Sequence, residues 1–423
     1  MAPRKESRKY DIVIIGATGY TGVLTAEYLA SNLPKDTKWA IAGRSRNKLE
    51  ALAKKLKDLN PDRSQPAVEI VSFNDRNQVD ILVGNAKVCI SVVTYWKESV
   101  GEVIVQACIE KRTDYLDVAG DIPLLKTWIQ KYHQAAESAG VALIHVCGMN
   151  STFTDVLTWT AVRELRTSAS LKTKEVILSV KESDTNASGG TIESIMHQLS
   201  LDRDVLEESN RPWTLSPIEG VKTSPSTNRL GLRRDPDLGL LAASSVTATW
   251  NRAITHRAWG LLRDTDADYG PNFQYNEYAK VSSALSGFLS ILGSRLLLAA
   301  LGSAPIAAVA RWFLPGPGEG PDVEKTKNIR VAMEAVAVPD VEGEDAQRRA
   351  PRARSVFSYP GGGYHVTALF LVEGAASLLY ARELEGGYAG GCLTPSFLGD
   401  DFVQRIRKAG AVLKSEMLPS SAA

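Results

Sequence analysis

The sequence has few of the residues that hold metals or disulfides. Four cysteines and five histidines occur in 423 residues. Cys89, Cys108, Cys147 and Cys392 stand far apart, mostly inside apolar runs and without ligand spacing, so a metal centre and a disulfide framework are not expected. The thiols read as reduced core residues of a cytoplasmic protein. An excess of one charge is missing too: Lys plus Arg number 49 and Asp plus Glu 48. That balance offers no global footprint for nucleic acid, and the basic stretches at 233–234 and 348–354 lack interleaved aromatics for base stacking. No Gly-x-Ser-x-Gly elbow occurs and no Gly-Lys-Ser/Thr follows the glycine-rich turn, which excludes the usual esterase and phosphoryl-transfer patterns. The first nine residues are polar, unlike a secretory signal. A bilayer span needs about 20 apolar residues, whereas the longest uninterrupted apolar run, 296–310, has 15 and contains Pro305. No repeat of fixed period is evident.

What is present begins at residue 10. An apolar strand, Tyr-Asp-Ile-Val-Ile-Ile, runs into Gly16, Gly19 and Gly22 and then into a helix-like stretch. In a nucleotide-binding turn, the first glycine reverses the chain, the second lets a diphosphate approach the backbone, and the third lets helix and strand pack closely. Thr18, Tyr20 and Thr21 line the same turn, and the helix start offers unpaired N–H groups to phosphate. The next strand, 39–43, ends in Arg44-Ser45-Arg46, where an NAD site usually carries an acidic residue. A guanidinium and a hydroxyl there suit a 2′-phosphate, so NADPH is the expected cofactor. The alternative is that both arginines are solvated and Ser45 merely caps the following helix.

Short apolar strands at 68–73, 86–93, 115–118 and 141–147 alternate with helices near 46–59, 76–84, 99–111 and 122–139. This is the pattern of a parallel sheet covered on both faces, a doubly wound α/β domain filling residues 1–150. Beyond it the pattern changes to α+β. Residues 175–181 and 247–262 look strand-like, 155–166 and 191–201 helical, and 314–321 and 341–354 read as linkers or exposed loops. The segment 284–314 is apolar apart from Arg295, Arg311 and scattered Ser and Gly. It suits an interfacial hairpin at a membrane or lipid-droplet surface, and equally a buried or homodimer-forming helix pair.

These motifs together resemble the saccharopine-dehydrogenase-like oxidoreductases, including the trans-acting enoyl reductases. The resemblance rests on Gly-Ala-Thr-Gly-Tyr-Thr-Gly at 16–22, Ala-Gly-Arg-Ser at 42–45, Ala-Cys at 107–108 and Tyr-Leu-Asp-Val-Ala-Gly-Asp at 115–121. It continues with Ser-Gly-Gly-Thr at 188–191, Leu-Pro-Gly-Pro-Gly-Glu-Gly-Pro at 314–321, Gly-Tyr-His-Val-Thr-Ala at 363–368 and Gly-Gly-Cys-Leu-Thr-Pro-Ser at 390–396. It implies an N-terminal Rossmann domain at 1–150, a middle domain at 151–355, and a C-terminal segment, 356–423, that returns to the first domain. It also implies reduction of an apolar, free or carrier-bound substrate of a lipid or polyketide pathway. Two stretches depart from the family's pattern. Where relatives show Val-Gly-Pro-Tyr and then Tyr-Gly, this chain has 93–101, keeping Tyr95 and Gly101. Where they show Gly-Phe-Asp-Ser-Ile-Pro-Ser-Asp, it has Gly-Met-Asn-Ser-Thr-Phe-Thr-Asp at 148–155.

Reduction of a conjugated double bond needs a donor for the developing enolate and an acid for the second proton. Tyr95 and Lys97, after the fourth strand, and His197, after Ser-Gly-Gly-Thr, are the candidate catalytic residues. Thr94, Tyr95, Asp121 and Asn150 lie where the cofactor's far end would sit. Asp121 reads equally well as a helix cap and Lys97 as a solvated charge. Asp155 reads as a helix-start residue, and His145 as a core histidine.

Overall fold

The computed structural model describes residues 8–93, 100–184, 186–221, 226–245, 247–303, 306, 312, 314–316 and 318–419. The first strand, β1 (Tyr10–Ile15), has no polar face because both its faces are covered: Ile12 and Ile14 enter one core cluster, Val13 and Ile15 the other. It leads to α1 (Tyr20–Asn32), β2 (Trp39–Gly43), α2 (Arg46–Leu59), β3 (Ala67–Ile70), α3 (Arg76–Gly84), β4 (Ala86–Ser91), α4 (Val100–Lys111), β5 (Asp114–Asp117), α5 (Ile122–Ala139) and β6 (Ala142–Ile144). Local chemistry sets these ends. Asp75 accepts from the Gln78 N–H to start α3, Asp121 from the Leu124 N–H to start α5, and Gly140 stops α5 at φ +65°. On α2, Leu49, Leu52 and Leu56 recur at helical spacing and are buried.

The strands of the first sheet pair in parallel in the order β3, β2, β1, β4, β5, β6, with β13 (Gly391–Leu393) added beside β6. This is the expected doubly wound sheet. The order reverses between β1 and β4, so the loops after those strands flank the crevice where ligands bind in such sheets.

The second sheet has the order β14, β12, β11, β7, β10, β9, β8. Its strands are β7 (Thr173–Glu182), β8 (Leu232–Asp235), β9 (Gly239–Ala242), β10 (Gln274–Lys280), β11 (Arg330–Pro339), β12 (Ala353–Pro360) and β14 (Val412–Met417), antiparallel except for β7 beside β10. Helix α6 (Met149–Ala169) packs against β7, β11 and β12. Then come α7 (Gly189–Leu199), α8 (Arg203–Ser209), α9 (Ala248–Leu261), α10 (Ala284–Leu301), α11 (Gly363–Tyr380) and α12 (Gly399–Lys408). The C-terminal segment is shared, since β13 extends the first sheet whereas β12 and β14 belong to the second.

Two sequence expectations are corrected. Residues 247–262 form the helix α9, not a strand: from Ala253 to Leu261 every residue is buried, so no polar face marks the 3.6-residue period, and β-branched and aromatic content misled. The 341–354 stretch is not one exposed loop. It holds a helical turn at Glu344–Arg349 and the start of β12.

Candidate nucleotide and substrate site

Each glycine of the turn carries a distinct steric duty. Gly16 has φ +84°, and a Cβ there would stand 3.0 Å from the Val92 backbone, so the chain can turn here only without a side chain. The Gly16 N–H is held by the Ala42 carbonyl at 3.0 Å. A Cβ on Gly22 would lie 2.8 Å from the Ala17 backbone, which is what lets α1 sit close to the strand end. Gly19 is different: a Cβ would meet only the Gly16 carbonyl, at 3.4 Å, leaving open space above the residue that precedes α1. The first N–H groups of α1 have no acceptor within the helix, and its first turn carries no acidic residue. The cradle therefore fits a diphosphate, with Thr18, Tyr20 and Thr21 around it.

At the end of the adjacent β2, Arg44 is exposed and makes no ion pair among the described residues, whereas Arg46 is paired with Glu50 at 3.4 Å. Ser45 occupies the N-cap position of α2, yet its hydroxyl makes no capping bond. The capping alternative is thus unsupported by geometry, and both Arg44 and Ser45 are available to an anion.

Distant segments form the wall over this turn. Tyr20 meets the Tyr364 ring edge-on, with centroids 5.0 Å apart, and its hydroxyl donates to the Pro321 carbonyl at 2.8 Å. Gly320 leaves room for the Tyr20 ring. The Gly189 N–H donates to the Glu319 carbonyl at 3.0 Å, and a Cβ on Gly189 would collide with Gly316. The Tyr364 hydroxyl accepts from the Ser188 N–H and bonds the Thr191 hydroxyl, both at 2.6 Å. The described residues of 314–321, expected as a linker, are therefore a strap across the glycine turn, close-packed through glycines.

Asp121 and His197 are brought together. The buried Asp121 carboxylate caps α5 through the Leu124 N–H at 3.0 Å, and its other oxygen lies 3.6 Å from Nε2 of His197 on α7. Burial raises the Asp121 pKa, against the Leu124 bond and the His197 charge. Asn150 is exposed on the first turn of α6, and Ser151 is turned inward to Asn251 at 3.1 Å. Asp155 is not at a helix start but well inside α6, fully buried and accepting from the Ser396 N–H at 2.8 Å. Burial raises its pKa to about 6. Thr94, Tyr95 and Lys97 lie outside the described residues.

Sequence reasoning passed over Asp117. Its carboxylate accepts from Ala119 N–H at 3.0 Å, Val146 N–H at 2.9 Å and His145 Nδ1 at 2.7 Å, tying together the loops after β5 and β6. Burial would lower the His145 pKa, but Asp117 outweighs it and raises it to about 10. His145 is thus a core histidine, fixed by a carboxylate. A strand-end Asp in the 115–121 motif was the available signal. Tyr364 lay in the Gly-Tyr-His-Val-Thr-Ala motif without being singled out, and Asp184, which accepts the Gly363 N–H at 2.8 Å, carried no signal.

A cavity of about 520 Å³ lined by Asn228, Arg233, Arg234, Val281 and Ser283 contains no residue of the glycine turn, and the chemistry is assigned to the turn and its wall. Among the described residues no group of three His, Cys, Asp or Glu could hold a metal ion.

Comparison with known proteins agrees with this geometry. Residues 12–144 match the family described as the saccharopine dehydrogenase NADP binding domain. Over 437 residues the chain is 28% identical to a Mycobacterium tuberculosis protein provisionally named a trans-acting enoyl reductase, covering 98% of this chain and 99% of that protein. It is 25% identical over 430 residues to a Mycobacterium bovis protein named trans-acting enoyl reductase, covering 97% and 99%. A solved structure of saccharopine dehydrogenase (L-Glu forming) from Saccharomyces cerevisiae shares the fold, with TM-score 0.53, 15% identity and coverage of 96% and 99%.

Proposed function

We propose, from the premise that residues 12–144 are a saccharopine dehydrogenase NADP-binding domain, that this NADP-dependent oxidoreductase reduces a polarised carbon–carbon double bond in an apolar, free or carrier-bound intermediate of a lipid- or polyketide-like pathway. The observation that carries the reading is the open glycine turn beside an unpaired guanidinium at the end of the neighbouring strand. When bound, the dihydronicotinamide supplies the hydride. The chain's own residues do the rest. The turn from Gly16 to Gly22 and the start of α1 bind the diphosphate, and Arg44 with Ser45 takes the 2′-phosphate. The strap at 314–321 covers Tyr20 and keeps water from the turn. His197, oriented by Asp121, holds the proton delivered to the α-carbon as negative charge develops on the substrate. Tyr95 is the proposed hydrogen-bond donor to the enolate oxygen. The relatives named enoyl reductase support the reaction class.

The test is to incubate the purified chain with NADPH and long-chain α,β-unsaturated thioesters, following the near-ultraviolet absorbance of NADPH and product mass. Absorbance should fall as the product gains two hydrogens. The departure at 148–155, which leaves Asn150 exposed on the first turn of α6, favours a second reading: a redox-neutral rearrangement on the same fold. Substrate consumed at constant NADPH, with product of unchanged mass, would replace the reductase with that alternative.

A further inference from the structure

Helix α10 is divided along its length. Its first half is seated on the edge of the second sheet: Gly287 packs on Leu232 and Ala242, Ile291 is buried against Gly231, and Ser294 donates to the Ser244 carbonyl at 3.1 Å. From Arg295 to Ala299 every residue is exposed. Leu296, Leu297 and Leu298 project at about 100° intervals, the turn of a 3.6-residue helix, so exposed apolar side chains cover more than half of its circumference, with Arg295 on the remaining side. A groove or flat partner covers one face of a helix. Exposed apolar surface wider than one face suits a core or hydrocarbon, with the arginine at its polar boundary. Among the described residues α10 is also the helix long and apolar enough to pass as a membrane span, with 11% of it buried. Its first half, however, is held to the sheet through Gly287, Ile291 and Ser294, while Leu285, Phe288, Leu289 and Leu292 on its outer side are exposed as well. The free half, Arg295–Leu301, reaches about 10 Å at 1.5 Å per residue, less than one leaflet of a hydrocarbon core about 30 Å thick.

The surroundings of the helix base fit anionic headgroups. Arg229 and Arg234 are exposed, make no ion pair among the described residues, and flank the point where Gly231 touches α10. Lys280 is exposed just before the helix, although it also faces Glu334 at 3.6 Å. Leu230, next to Arg229 in the chain, is exposed, and Trp312, beyond α10 in the chain, is 88% exposed, as suits an interfacial aromatic.

We infer that the free half of α10 inserts into one leaflet of an anionic phospholipid membrane, with Arg229 and Arg234 at headgroup level, so that the protein binds membranes peripherally. The inference is independent of the reaction proposed above.

The experiment is flotation of the full chain with vesicles of phosphatidylcholine alone and of phosphatidylcholine with phosphatidylserine, alongside light scattering of the protein without lipid. Binding to the mixed vesicles is expected, weakening with salt. Leu296→Glu with Leu297→Glu should abolish it, while NADPH affinity and Tm stay native because both residues are exposed. Arg229→Ser and Arg234→Ser should each reduce binding roughly fivefold, and only on the anionic vesicles. No flotation of the native chain overturns the inference. So does a lipid-free dimer that the leucine variant dissolves without any vesicle binding, which would make a second copy the cover. Equal binding by the leucine variant and native chain also refutes it.

Discussion

Removing the Arg44 side chain should separate the two dinucleotides. The guanidinium stands exposed at the end of β2 and makes no ion pair among the described residues, so a 2′-phosphate can pair with it without breaking an existing contact. A hydrogen bond to a charged group contributes about 1.5 to 3 kcal/mol, and exposure places this one at the low end. At about 1.4 kcal/mol per tenfold, Arg44→Ala should weaken NADPH binding about tenfold. NADH has no phosphate there and should change by no more than about twofold. Arg46→Ala is the internal control. Its guanidinium is already engaged by Glu50 at 3.4 Å, so its loss should cost NADPH less than that of Arg44. The assay is calorimetric titration of the full chain with each dinucleotide at low and high salt. Salt should weaken NADPH more than NADH, because the phosphate contact is exposed. Parallel losses for both dinucleotides, or none for either, would refute the assignment of the 2′-phosphate to Arg44.

Gly22→Ala should lower Tm and nucleotide affinity together through overpacking of about 1 to 3 kcal/mol, whereas Gly19→Ala, whose Cβ meets only the Gly16 carbonyl at 3.4 Å, should keep Tm and lose the nucleotide. Thermal melts with and without NADPH distinguish the pair. Tyr364→Phe removes the acceptor of the Ser188 N–H and the partner of Thr191, a loss of about 1 to 2 kcal/mol, and faster hydrogen exchange at 188–191 is the readout. Asp155, raised by burial to about 6, keeps its proton in the native state where the unfolded chain has lost it. Stability from this group therefore falls as pH rises from about 4 through 6, by up to about 3 kcal/mol. Asp155→Asn should flatten that slope in urea titrations, and an unchanged slope would remove Asp155 as its source.

The first domain was legible because its signals are local. The glycine turn, the unbroken β-branched strands and Asp121 as a cap all lie within a few residues of what they determine, and 46–59, 76–84 and 122–139 were bounded as the helices are. The position of Arg44 at the end of β2 was legible for the same reason, since it stands directly after its strand. Helix α9 was not, since burial of every residue from Ala253 to Leu261 erases there the exposed polar face that reveals a helix. Nor was the wall of the site. Ser188, Gly316 and Tyr364 meet through tertiary packing, and no spacing along the chain states that they will. Asp155 was misplaced because α6 begins at Met149, six residues earlier, and a carboxylate near a helix start reads as a cap until its burial is known.

The bonds around α11 argue for where the nucleotide site opens. That helix packs against α1, β4, β5 and α6, and is tied at three places along its length: Gly363 N–H to Asp184 at 2.8 Å, Thr367 to the Met149 N–H at 3.0 Å, and Glu373 to the Tyr28 hydroxyl at 2.9 Å. Swinging the second sheet away from the first would break either the Tyr28 bond or those to Asp184 and Met149, and would uncover a helix that is buried throughout from Val366 to Leu378, at about 1.5 to 3 kcal/mol for each large apolar side chain uncovered. The strap resists far less. Tyr20 holds it to α1 and the Gly189 N–H holds it to α7, two neutral hydrogen bonds of about 1 kcal/mol each. Because Tyr20 is also the first residue of α1, a diphosphate arriving at the helix start would press on the ring that carries the Pro321 contact. Tyr20→Phe, which removes the Pro321 contact, should therefore speed hydrogen exchange of the described strap residues and leave that of α11 unchanged, and equal exchange in both proteins would refute the coupling.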